Sequence, residues 1–203
     1  MIGKTSLILL AGGGLLITGT VVAAPNGEKM AAEKCERCHG KNGISDIEEM
    51  PNIAGFSTAY FLDTMNAYKN GKRQGDKFKT EGHDETDMNT IAKSFNDEEL
   101  TALGEYFESQ TFVPREQEFD SKLAKKGKKV YKKRCRKCHT SNGSDPDDDA
   151  SILAGQSMTY LESQLEQFVN GSRTTQPKKM KKQMDKLKDG DIPALVHFFA
   201  SQQ

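Results

Sequence analysis

Apolar side chains along this chain recur at helical intervals, and no segment shows the two-residue alternation of a half-buried strand. Over 58–70, Tyr60, Phe61, Met65 and Tyr68 share a helical face. Over 159–170, Tyr160, Leu161, Leu165 and Phe168 do the same, and both runs stop at Asn-Gly, a helix-ending pair. A later amphipathic helix is predicted from near Asn96, with Leu100, Leu103, Tyr106 and Phe107 on its apolar face. Its counterpart starts near Asp189 with Ile192, Leu195, Phe198 and Phe199. Helices over 28–38 and 121–138, each ending in a Cys-Cys-His element, complete an all-α pattern.

These segments form a repeat. Cys35-Glu36-Arg37-Cys38-His39 matches Cys135-Arg136-Lys137-Cys138-His139 at an offset of 100. The same offset pairs Asn42-Gly43 with Asn142-Gly143, Ile53-Ala54-Gly55 with Leu153-Ala154-Gly155, Tyr60 with Tyr160, and Arg73 with Arg173. Beyond Arg73 the offset falls to 92, pairing Met88 with Met180, Leu103 with Leu195, and Phe107 with Phe199. The first copy therefore holds eight extra residues between Arg73 and Met88. The organisation predicted is a domain over 25–110, an exposed linker over 111–120 carrying Pro114 and several charges, and a second domain over 121–203.

Residues 1–24 carry Lys4, then an uncharged run closing in Val22-Ala23-Ala24. This is the pattern of a secretory signal peptide, with cleavage after Ala23 or Ala24. An uncleaved membrane anchor is the alternative, since the run approaches the roughly 20 residues that span a bilayer. Gly12, Gly13, Gly14 and Gly19 disfavour it. Either way the rest of the chain is expected outside the cytoplasm, in the periplasm. Two domains cut from 203 residues, with 35% hydrophobic content and no Trp, have thin cores and need a staple.

The Cys-x-x-Cys-His elements supply one. That spacing is the signature of covalent c-type haem attachment. Positions i, i+3 and i+4 of a helix share a face, so both thiols can bond one porphyrin edge while the adjacent imidazole faces the iron. The assignment is thioether attachment through Cys35, Cys38, Cys135 and Cys138, with His39 and His139 as axial ligands. A redox disulfide or half a zinc site would also use Cys-x-x-Cys. Two equivalent copies in an exported chain disfavour both. The four cysteines are all consumed, leaving none for a catalytic or iron-ligating thiol.

The opposite axial ligand decides whether such an iron carries electrons or binds substrate. Met88 and Met180 occupy matching positions before the last helix of each copy, and a thioether favours ferrous iron. Met184, one turn beyond Met180, is a rival whose repeat partner is Ala92. His83, in the extra segment, and His197, in the last helix, lack histidine counterparts and are assigned as non-ligands. No catalytic residue is assigned.

Formal charge is zero overall, yet residues 25–114 hold 10 Lys and Arg against 17 Asp and Glu, a balance of −7. Residues 115–203 hold 18 against 12, a balance of +6. Such a dipole can orient a charged partner. Export and the lack of interleaved aromatics disfavour nucleic acid as the target of the lysine-rich stretches 122–137 and 178–188, and docking to an acidic partner fits better.

With both haem elements, Leu153-Ala154-Gly155-Gln156, Tyr160-Leu161, Gly171-Ser172-Arg173 and the paired methionines, the chain resembles the dihaem class I cytochromes c. It is similar both to cytochrome c4 and to the cytochrome subunit of flavocytochrome c sulfide dehydrogenase. The join from Tyr106 through Thr111-Phe112-Val113-Pro114 to Phe119-Asp120, and the ending Ser201-Gln202-Gln203, look more like the latter. The resemblance implies two tandem all-α cytochrome c domains related by a pseudo-twofold axis, two covalent haem c groups, and His/Met ligation in each. It also implies haem edges facing each other near the domain interface. The function implied is electron transfer with redox protein partners: first, as the cytochrome subunit that accepts electrons from a sulfide-oxidising flavoprotein, and as the alternative, as a free cytochrome c4-type carrier that delivers them to a terminal oxidase. A dihaem enzyme, either a peroxidase or a thiosulfate dehydrogenase, is the less favoured reading.

Overall fold

The computed structural model describes residues 24–174 and 177–203. The signal-peptide reading of 1–24 falls outside them except for Ala24. In the first copy, α1 (Gly27–Lys34) is capped by the Asn26 side chain, and Cys35 breaks it from α2 (Glu36–His39). Then come α3 (Thr58–Lys69), the short α4 (Met88–Lys93) and α5 (Asp97–Glu108). The second copy runs α6 (Ser121–Arg134), α7 (Met158–Asn170), α8 (Lys178–Met184) and α9 (Asp191–Ala200). Among the described residues the only β pairing is an isolated bridge between Phe78 and Thr86.

The predicted helices are found, with two corrections. The helix expected over 28–38 is interrupted at Cys35, and that over 121–138 stops at Arg134, with a separate turn carrying the second Cys-Cys-His element. The turn keeps helical hydrogen bonding where spacing matters. The N–H groups of Cys38 and His39 both reach the Cys35 carbonyl, at 3.1 and 2.9 Å, and those of Cys138 and His139 reach the Cys135 carbonyl at 3.1 Å. The short helices α4 and α8, each carrying one of the paired methionines, are absent from the sequence prediction because six or seven residues show too little periodicity.

Each copy is framed by its first helix crossing its last. At the crossing stand Gly27 and Gly127, where an added Cβ would come within 2.1 Å of the Ala102 carbonyl oxygen and 1.9 Å of that of Ala194. Only hydrogen fits there, which lets the backbones touch. Around this frame, Phe61, Leu100, Leu103 and Phe107 fill the first core, and Tyr131, Leu161, Leu195, Phe198 and Phe199 the second. A left-handed Gly43 accepts from the N–H groups of Ile53 and Ala54, and Gly143 does the same for Leu153 and Ala154. The loops that follow the histidines are therefore folded back in the same way.

The segment expected as an exposed linker is mostly exposed but tied to both copies. The Arg115 guanidinium donates to the carbonyls of Ser45, Asp46 and Ile47, while its backbone N–H donates to Gly155. Gln117 bonds Gln156, Met158 and Gln203.

Candidate haem centres and the interface between them

In the first copy Cys35, Cys38, His39 and Met88, distant in sequence, line one cavity of about 410 Å³. Its floor is apolar, with Ile53, Phe56, Phe61, Met65 and Ile91. His39 is buried, and its Nδ1 lies 3.0 Å from the Pro51 carbonyl oxygen. A carbonyl can only accept, so Nδ1 carries the proton and Nε2 is left as a lone-pair donor. His139 repeats this with the Ser151 carbonyl at 3.3 Å, and Ser151 is the repeat counterpart of Pro51. Burial holds both imidazoles below the ordinary histidine pKa, so each is neutral near pH 7 and fit to bind a metal.

The thiols fit attachment better than redox chemistry. Burial pushes both Cys35 and Cys135 up to about 12, and burial likewise raises Cys38. A disulfide-exchanging pair needs a thiolate stabilised well below that range.

In the second copy Cys135 and Met180 both pack against the core, as Cys35 and Met88 do in the first. Met184 is buried within that core, at the helical position that Ala92 fills, also buried, in the first copy. The Tyr131 hydroxyl donates to the His139 carbonyl at 2.6 Å, and Asp148 accepts from the Thr140 N–H and hydroxyl. At least two of the acidic residues in 145–149 are thus spent on holding the loop beside His139, since Asp145 also accepts from Thr140. His83 is exposed, and the Nδ1 of His197 accepts from the Asp120 N–H at 3.0 Å at the start of α6, a structural role.

The sequence marks Arg73 and Arg173 as repeat partners, and Arg173 as part of the Gly171-Ser172-Arg173 stretch that carries the resemblance, but gives neither a role. The structure buries them to 2% and 8% exposure between the copies, with guanidinium carbons 4.6 Å from the Tyr68 ring centre and 4.2 Å from that of Phe168. Arg73 donates to the Tyr160 hydroxyl at 3.2 Å and to Gln164, and Arg173 donates to Gln164 at 3.1 Å. Burial, and then the like charge of Arg73, hold Arg173 below its ordinary pKa. The Nε of each has no partner among the described residues, and neither arginine is ion-paired there. Two buried cations facing one another call for anionic groups. Arg73 lines the apolar cavity, and the carboxylates of a haem held there would meet that need. Nothing in either Cys-Cys-His motif marks these arginines; the signals are their equal position in the two copies and, for Arg173, its place in the Gly171-Ser172-Arg173 stretch.

A second contact seals the interface. Gln156, 1% exposed, accepts from the Asn52 N–H at 3.0 Å and donates to the Asn52 carbonyl at 2.6 Å, while the Asn52 side chain donates to the Val113 carbonyl at 2.8 Å.

The chain belongs to the cytochrome c family, whose model matches residues 24–111 and 124–203. Within it the chain is of the dihaem class I kind, with two tandem cytochrome c domains and two covalently bound haem c groups, and it is a cytochrome c4-like electron carrier. It is 30% identical to cytochrome c4 of Azotobacter vinelandii over 96% of this chain and 95% of the relative. A crystal structure of reduced recombinant cytochrome c4 from Pseudomonas stutzeri superposes with a TM-score of 0.71 at 27% identity, covering 89% of this chain and all of that one. A protein named thiosulfate dehydrogenase electron acceptor, from Stutzerimonas stutzeri, is 25% identical over 95% of this chain and 93% of the relative. Among the described residues no helix is long and apolar enough to cross a membrane.

Proposed function

We propose that this protein is a periplasmic carrier that takes electrons from one redox protein and passes them to another. In this reading Cys35, Cys38, Cys135 and Cys138 form the haem thioethers. His39 and Met88 hold the first iron; His139 and Met180 hold the second. The observation that carries it is the convergence of Cys35, Cys38, His39 and Met88 on one apolar cavity, with the His39 proton already committed to a carbonyl. Once bound, the haem supplies a one-electron ferric/ferrous couple, and a thioether ligand favours its ferrous state. The protein's own residues orient the imidazole, keep water from the iron and neutralise the carboxylates through Arg73 and Arg173.

Among donors, an enzyme oxidising an inorganic sulfur compound is supported by the likeness to the thiosulfate dehydrogenase electron acceptor. A subunit role beside a sulfide-oxidising flavoprotein rested on the join and the C-terminal residues. Of those residues Phe112 packs on the first core and Gln203 bonds Gln117, whereas Val113 and Phe119 stay exposed. The free carrier, delivering electrons onward to a terminal oxidase, is preferred on the likeness to cytochrome c4 over nearly the whole chain. Peptide mass spectrometry of protein purified from a periplasmic extract tests both parts. The expected result is haem on the peptides containing Cys35 and Cys38 and on those containing Cys135 and Cys138, in a monomer free of flavin. Haem on one peptide only, or copurification with a flavoprotein, contradicts it.

A further inference from the structure

The two copies differ at the surface next to their haem elements. Between residues 121 and 139 the second copy has ten Lys and Arg and no acid, whereas residues 27–39 of the first have three of each sign. Four lysines, Lys178, Lys179, Lys181 and Lys182, surround Met180 in α8, and all are exposed. Their counterparts about Met88 are Thr86, Asp87, Asn89 and Thr90. Arg136 and Lys137, also exposed, precede Cys138, and Cys138 itself is exposed where Cys38 is half-covered. Lys181 is paired with Asp185 at 2.7 Å, but Lys178, Lys179, Lys182 and Lys137 make no ion pair among the described residues.

What covers the first copy is the extra segment. Residues 74–87 fold into a small hairpin, Phe78 and Thr86 exchanging backbone hydrogen bonds of 2.8 and 2.9 Å. Gln74, Asp76, Lys77, Phe78 and Thr86 form part of the wall of the first cavity. Asn89, beside Met88, fixes its base by accepting from the Gly75 N–H at 2.8 Å and donating to the carbonyls of Tyr68 and Arg73 at 2.7 and 2.8 Å. The hairpin brings Asp76, Glu81, Asp84, Glu85 and Asp87 with it against Lys77 and Lys79, a balance of −3, and Lys77 pairs with Glu85 at 3.6 Å. The second copy has no such insert and no such charge.

We propose that the second copy's surface around Cys138 and Met180 is the docking face for an acidic one-electron carrier protein, and that the hairpin turns the same partner away from the first copy. This rests on the haem reading above. In the exchange one electron passes between the two proteins, one being oxidised as the other is reduced, with no bond made or broken and no proton transferred. Like charge repels the partner from the hairpin, and opposite charge concentrates it at the lysines.

Haem content by pyridine haemochrome comes first: fewer than two haems per chain counts against the haem reading, separately from the surface. The surface is then mapped on the isotope-labelled ferrous holoprotein at low salt with hexacyanochromate(III), a redox-inert paramagnetic trianion. The expected result is line broadening of amides at 133–138 and 178–182 that spares 33–38 and 74–90. Equal broadening in both copies, or broadening centred on the first, overturns the proposal. The combined variant Lys137→Glu, Lys179→Glu and Lys182→Glu changes exposed side chains only. It is expected to lose the broadening and to slow oxidation by hexacyanoferrate(III) roughly tenfold. An unchanged rate overturns the proposal. So does binding to phosphatidylglycerol vesicles that depends on these three lysines while hexacyanochromate broadening stays diffuse, since the face would then serve a lipid surface.

Discussion

A histidine that gives its Nδ1 proton to a backbone carbonyl has one nitrogen left, and the fold decides what that nitrogen meets. His39 and His139 share this arrangement at repeat-related carbonyls, Pro51 and Ser151, which the motif alone does not reveal. The motif fixed their identity as candidates; the loop that returns through Gly43 or Gly143 fixes their tautomer. Packing also separates Met180 from Met184. Met184 fills the core position of Ala92, whereas Met180 stands with Cys135 at the edge of that core. Met180→Ala is expected to remove half of the weak far-red absorption that marks Met-ligated ferric haem. Met184→Ala is expected to keep the band and lower stability by about 2–5 kcal/mol in denaturant titration. The reverse pattern would assign the ligand to Met184.

At the scale of elements, α4 is six residues long and cannot persist alone, so its cap matters. The Asp87 carboxylate accepts from the Thr90 N–H at 2.7 Å, and that hydrogen bond holds its pKa below the usual carboxylate range. Because the folded value is the lower one, its contribution is present above the unfolded pKa and fades as pH falls through the folded one. Acidification below about pH 4 is therefore expected to loosen α4 and weaken the far-red band of the first haem before the second. Asp87→Ala should cost about 1 kcal/mol near neutral pH by denaturant titration, and Asp87→Asn, which can still cap, only a fraction of that. The long helices α3, α5, α7 and α9 were legible because 10–13 residues show a clear periodicity. The helix crossings were not. Gly27 and Gly127 look like poor helix residues until Ala102 and Ala194 are seen against them.

Across the whole molecule, the repeat predicted two equivalent units but said little of how they join, because contacts between the copies depend on single residues without periodicity. Asn52 with Gln156, and Arg73 with Tyr160 and Gln164, do the joining, helped by a connecting segment bonded to both sides. Removing Gln156 leaves the buried N–H and carbonyl of Asn52 unsatisfied, a loss of about 1–3 kcal/mol. Gln156→Ala is expected to split a single calorimetric unfolding transition of the holoprotein into two; one unchanged transition would show that the copies are held by other contacts. The asymmetry of the molecule, with an acidic hairpin over one site and lysines around the other, lies on top of this shared frame and was visible in the sequence as charge and length alone. If His39 with Met88 and His139 with Met180 hold the two irons, the far-red band of the ferric protein, measured against its haem content, is expected to account for two haems per chain; a band accounting for one haem, or none, would rule out paired His/Met ligation.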